Sequence, residues 1–271
     1  MKQGQRWLSA ALCAAIAVGC AVSPASAEEY DLEDIPGVII EDTRYDPLEW
    51  NFALSLSEID SELVKLANKE YLLDASYEPS STTKMKLRAA PGAGTLYLQT
   101  ECAEALAQLF AGAEEAGYRL YLKSAYRSYR TQNTMYSNRL ARNNGKDDGW
   151  VSKPGASDHQ TGLGCDVVPN SWKDRAMNAN MATTEECQWM AAHCYEYGFV
   201  IRYPEDKQDV TEINYEPWHL RYVGKAVATY MWRNNLCLEE FQQQLQEAID
   251  AYLAAGGDVR RVEDLIQKPT E

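Results

Sequence analysis

Three histidines occur in the 271 residues, and two of them stand in dense polar clusters. His159 lies within Ser157-Asp158-His159-Gln160-Thr161-Gly162-Leu163-Gly164-Cys165-Asp166, and His219 ends the run Glu216-Pro217-Trp218-His219. Two imidazoles with the Asp166 carboxylate make a three-ligand zinc set that leaves one coordination position open, the arrangement of a catalytic rather than a structural ion. Glu216, three residues before His219, supplies the proton acceptor that water activated by such an ion requires. Asp166 is flanked by Cys165 and Val167, so its carboxylate is expected in apolar surroundings, where it needs a cation or a donor. Pro217 disfavours a helix interior and places the Glu216–His219 pair at a turn or at the start of a strand. The residue types point to metal-assisted hydrolysis.

Arg127, in Ser124-Ala125-Tyr126-Arg127-Ser128-Tyr129, is the candidate for holding an anion. A guanidinium binds a carboxylate with two parallel hydrogen bonds and so selects for a free chain end. Ser81-Thr82-Thr83-Lys84 matches the S-x-x-K nucleophile pattern of penicillin-binding enzymes. No S-D-N or K-T-G partner accompanies it, which argues against a serine mechanism. A cell-wall-binding module with a vestigial metal would have no use for the glutamate at 216. His193, away from both clusters, reads as structural.

The elements that must present these residues follow from pattern and punctuation. Helices are expected over about 101–115, capped by Thr100 and stopped near Gly117, and over 128–143. A third starts at the Thr183-Thr184-Glu185-Glu186 capping box and ends at Gly198. A fourth spans about 225–235. Strands are expected over 119–123, 165–168, 199–203 and 219–223, with His159 in a Gly-rich loop that runs into the second of them. Helices set around short, mostly antiparallel strands make the fold class α+β. Residues 239–255 have helical periodicity and read as an add-on helix or exposed arm.

Both ends of the chain lie outside the domain expected over 59–238. Lys2 and Arg6, the apolar stretch from Leu8 to Val22 and Ala25-Ser26-Ala27 have the layout of a signal peptide over residues 1–27. Cys20 stands in a weak match to a lipoprotein cleavage box, so the chain is expected to be exported, either secreted or held at the cell surface. Residues 28–58 read as an acidic extended arm. Loss of the leader would take the formal net charge from −14 to −16, and such a surface repels phosphate backbones, which excludes nucleic acid as a natural partner. Five cysteines then remain, with no C-x-x-C pair; Cys187 and Cys194 lie seven apart on one helix and cannot bridge. They are expected mainly as buried apolar residues.

The blocks around these residues resemble the VanY-type D-alanyl-D-alanine carboxypeptidases over roughly residues 60–236. They are Ser124 to Tyr129 with Gln132; Pro154-Gly155 and Ser157-x-His159-Gln160-Thr161-Gly162 with Asp166; Tyr197-Gly198-Phe199 with Arg202-Tyr203-Pro204; and Glu216 to Gly224. The resemblance implies a Hedgehog/D,D-peptidase-like zinc fold and one Zn2+ per chain, held by His159, Asp166 and His219. It implies Glu216 as general base and Arg127 on the substrate carboxylate or the developing oxyanion. Gln132, Ser157 and Tyr203 would contact the terminal D-alanine. The implied partner is a peptidoglycan stem peptide ending in D-Ala, with no obligate protein partner; L,D-carboxypeptidase and endopeptidase action are the neighbouring alternatives. Two positions depart from the pattern: Gly164, where alanine is commoner, and Asp158, where glutamate is.

Overall fold

In a computed structural model of the chain, residues 50–270 are described. The signal peptide, Cys20 and most of the acidic arm lie outside them. The end of that arm is packed rather than extended, because Leu54 is buried and Trp50 and Phe52 lie against the core.

The strands are β1 (Thr82–Lys84), β2 (Tyr97–Gln99), β3 (Leu120–Ser124), β4 (Gly164–Pro169), β5 (Phe199–Ile201) and β6 (His219–Tyr222). The helices are α1 (Thr100–Glu115), α2 (Tyr129–Arg142), α3 (Asp158–Thr161), α4 (Glu185–His193), α5 (Gln208–Thr211), α6 (Lys225–Arg233) and α7 (Leu238–Ala254). Strands β1 and β2 form a two-stranded antiparallel sheet, and a four-stranded antiparallel sheet has the order β3-β4-β6-β5. The α+β expectation holds.

The pleat of the larger sheet separates core from chemistry. Side chains alternate along a strand and partners across a ladder share a face. Cys165 pairs with Leu220, and Leu122 with Val167. These residues join Leu98, Leu106, Leu109, Met190 and Phe199 in one buried cluster beneath α1 and α4. Asp166 pairs with both Ser124 and His219, so these three face the other way. On that second face Val200, opposite Arg221, joins a second cluster with Val227 and Met231 of α6 and Leu238, Phe241, Leu245 and Ile249 of α7. The C-terminal helix is therefore no appendage. Its apolar stripe is core, as burial of one helix face requires.

Three local expectations are corrected. His159 sits on the one-turn helix α3 rather than in a loop, and Gly162 ends that turn at φ 72°, a left-handed conformation that favours glycine. Thr100 is the first residue of α1, and the cap position is Gln99, which makes no side-chain capping bond. Strand β5 stops at Ile201 instead of residue 203. The helix opening at Thr184 does have its cap, with the hydroxyl accepting from the Cys187 amide, and Gly198 closes the following turn at φ 87°. All five cysteines among the described residues are buried and unbridged. Among the described residues no helix is long and apolar enough to cross a membrane.

Candidate metal and peptidase site

Two adjacent strands and one short helix bring the predicted ligands together. Asp166 and His219 are cross-strand partners on β4 and β6, and α3 leads into β4 through Gly162-Leu163. The approach of α3 to β4 is close: a Cβ on Gly164 would lie 2.9 Å from the carbonyl carbon and Cβ of Asp158. Glycine at 164 lets the helix lie against the strand, which gives the departure from alanine a steric meaning in this chain.

Candidate ligand atoms of His159, Asp166 and His219 lie within 4.8 Å of one another, and all three residues are buried. His159 donates its Nδ1 hydrogen to the Ala125 carbonyl at 2.7 Å, which turns Nε2 towards Asp166 Oδ2 at 3.4 Å. His219 Nδ1 lies 3.3 Å from Asp166 Oδ1 and 3.4 Å from Glu216 Oε2. The two imidazoles meet at 4.8 Å between centroids and 73° between planes, so they approach one point from different directions. Asp166 Oδ1 is buried without a hydrogen-bond partner. An orphaned carboxylate oxygen is costly in the interior, and a divalent cation would satisfy it. The donor set of two nitrogens and one oxygen suits zinc.

The protonation preferences follow the same geometry. Burial opposes charge on His219, yet Asp166 and Glu216 outweigh it and push the imidazole up to about 9. Burial and the neighbouring Arg127 hold His159 below its usual value. Burial raises Glu216 above the ordinary carboxylate range, against the pull of His219. A raised carboxylate is a stronger base than an exposed one, which suits it to take and return a proton.

These groups line a cleft of about 370 Å³. Arg127, Gln132, Ser157, Tyr203, Glu216 and the three candidate ligands all border it, so every predicted site residue converges there. Arg127 donates through Nη1 to Gln132 Oε1 at 2.7 Å and through Nη2 to Ser124 Oγ at 3.2 Å. Gln132 in turn donates to the Ser152 carbonyl at 2.7 Å. Nη2 also lies 4.0 Å from Asp166 Oδ2, so three neighbours orient the guanidinium, which keeps further donors for an anion in the cleft. Tyr203 lies edge-on to His219 at 5.0 Å. Ser81 is exposed and borders a different part of the fold, on the approach to β1. His193 pairs with Glu196 and stacks on Trp189, outside the cleft.

The structure adds residues that the sequence did not single out. Trp150, on the loop after α2, lies nearly parallel to Trp218, at 12° and 6.5 Å, and both border the cleft. That loop is fixed by Asn214, whose amide donates to the Gly149 carbonyl at 2.9 Å and whose side chain donates to the Asp148 carbonyl at 2.7 Å. Met135 and Met177 complete an apolar rim.

Residues 95–225 match the sequence model of VanY, D-alanyl-D-alanine carboxypeptidase. The chain is 37% identical over 188 residues to the Bacillus subtilis (strain 168) protein YodJ, covering 68% of each chain. It is also similar to the structure of the LdcB LD-carboxypeptidase, at a TM-score of 0.63 and 37% identity, over 68% of this chain and 87% of that one. A third likeness is to a mutant of the vancomycin resistance D,D-pentapeptidase VanY in complex with Zn(II), at a TM-score of 0.54 and 28% identity, over 66% and 98%.

Proposed function

The chain belongs to the VanY family of D-alanyl-D-alanine carboxypeptidases, and on that premise we propose that this hydrolase removes the terminal D-alanine from peptidoglycan stem peptides with one zinc ion. The observation that carries the reading is the unpartnered Asp166 oxygen between two buried imidazoles, with Glu216 3.4 Å from one of them. His159, Asp166 and His219 would hold the ion. When bound, zinc polarises a carbonyl oxygen and lowers the pKa of water to about 7.

The remaining work falls to the protein's own groups. Arg127 takes the substrate's terminal carboxylate or the oxygen on which charge develops, and Gln132 and Ser124 hold the guanidinium in place. Ser157 and Tyr203 also line the cleft and would contact the terminal residue. Glu216 accepts a proton from the attacking water as its oxygen bonds to the penultimate carbonyl carbon. As the C–N bond breaks, Glu216 returns that proton to the leaving D-alanine amine. The export expected from residues 1–27 would put the enzyme on the same side of the membrane as this substrate.

The likeness to an LD-carboxypeptidase supports a second reading, in which the same centre trims tetrapeptides. Mass spectrometry of pentapeptide and tetrapeptide muropeptides after digestion separates the two. The D,D reading expects D-alanine release from the pentapeptide, abolished by a chelator, restored by Zn2+ and indifferent to β-lactams. Release that survives complete metal removal would end both readings.

A further inference from the structure

Helix α7 lies beyond the residues matched by the family model, yet it sends one carboxylate to the back of the metal site. Arg202 is buried and divides its guanidinium between two anions. Its Nε donates to Asp158 Oδ2 at 2.6 Å, while Nη1 and Nη2 donate to Glu239 Oε2 and Oε1 at 2.8 and 2.7 Å. Asp158 accepts from Arg221 on its other oxygen. The Arg202, Asp158 and Arg221 side chains have no solvent exposure, and that of Glu239 has 10%. Two guanidiniums and two carboxylates thus balance to zero charge.

This network grips the chain beside both candidate imidazole ligands. Asp158 directly precedes His159 on α3. The Arg202 amide donates to the His219 carbonyl at 3.0 Å. The Arg202 guanidinium stands 4.8 Å over the Tyr203 ring, which itself meets His219 edge-on. Removing Glu239 would leave two cations sharing one carboxylate, an excess positive charge in a dry interior directly behind a site for a dication.

We propose that Glu239 is a positioning residue of the metal centre: it fixes Arg202, and through it Asp158 and both imidazoles, and cancels a buried charge that would repel the metal. The inference rests on the zinc reading above. Outer partners of metal ligands set affinity by about 10- to 100-fold, and burial makes their charge count in full. If Glu239 served only to pin α7, its loss would lower stability and leave metal affinity alone.

The test measures the zinc dissociation constant of the full chain by competition with a chromophoric chelator, alongside the thermal midpoint. Glu239→Gln keeps the shape and loses the charge; a loss of about 10- to 100-fold in zinc affinity is expected, reduced to several-fold in Glu239→Asp, which keeps the charge but shortens the reach to Arg202. Leu245→Ala weakens the apolar face of the same helix without touching Arg202, and is expected to lower the midpoint while binding zinc as the parent does. The proposal fails if Glu239→Gln binds zinc within twofold of the parent, or if Leu245→Ala loses affinity in proportion to its lost stability. Should Glu239→Gln not fold, Glu239→Asp decides, because a lowered midpoint with parental zinc affinity overturns the proposal and a several-fold weaker affinity supports it. A parent chain that binds no zinc refutes the metal reading itself, an outcome distinct from all of these.

Discussion

Removing a candidate ligand and removing the base should separate binding from turnover. His159→Ala is expected to abolish stoichiometric zinc uptake, because three protein ligands are the minimum for a catalytic site of this kind. Glu216→Ala should still bind zinc, with kcat reduced by about 10²- to 10⁴-fold, the usual worth of a positioned general base. Zinc quantification on the purified variants, with D-alanine release assayed in parallel, checks both; full activity in Glu216→Ala would remove the base assignment. These side chains were legible in the sequence because each requirement of the chemistry is local. Ligand, base and glycine lie within a few residues of one another in two short runs. Trp150 was not legible, since a lone aromatic in a polar loop carries no signal until Asn214 is seen to fix that loop against the cleft.

Helix α3 and strand β4 are in close contact at Gly164 and Asp158, and that contact bears directly on the metal-site geometry. Gly164→Ala places a methyl group 2.9 Å from the Asp158 backbone, so α3 must move or the substitution must be absorbed as strain. Overpacking of this kind costs about 1–3 kcal/mol, and because Asp158 and His159 move together, metal affinity should fall with the thermal midpoint. A midpoint and zinc affinity unchanged by Gly164→Ala would show that the turn has slack. The longer elements were readable from periodicity, caps and stops: Thr184 caps α4 as expected, although α4 ends at His193 and Gly198 closes the separate 3₁₀ turn that follows, and β6 follows Pro217. The one-turn helix at His159 was not, because four residues cannot display a period of 3.6. Nor could sequence show that Arg202 spans 44 positions back to Asp158 and 37 forward to Glu239, since ion pairs across a fold have no spacing rule.

Across the whole molecule, the active face of the sheet depends on elements at both ends of the described chain. The stripe Leu238, Phe241, Leu245 and Ile249 of α7 packs with α6, with Val200 of β5 and with Leu54 and Ile59 from the N-terminal side. Beyond the helix, the Gln267 side chain accepts from the Leu66 amide at 2.9 Å, and the Thr270 amide donates to the Glu70 carbonyl at 2.7 Å. The bound segment continues to Leu73, whose amide donates to the Gly155 carbonyl at 2.9 Å, two residues before Ser157 in the cleft. The C-terminal region thus packs into the fold as core, and reaches the surroundings of the site through Glu239. Phe241 is fully buried, with its ring 6.2 Å from Phe52 and 6.1 Å from Tyr230. Phe241→Ala should therefore destabilise the chain by about 3–5 kcal/mol, the cost of an aromatic cavity, as measured by urea unfolding. If α7 were only an appended arm, the same substitution would fall within about 0.5 kcal/mol of the parent, as surface changes do. A full cavity cost, with unfolding still a single transition by both near- and far-ultraviolet dichroism, would show that the helix outside the family match and the peptidase sheet fold as one cooperative body.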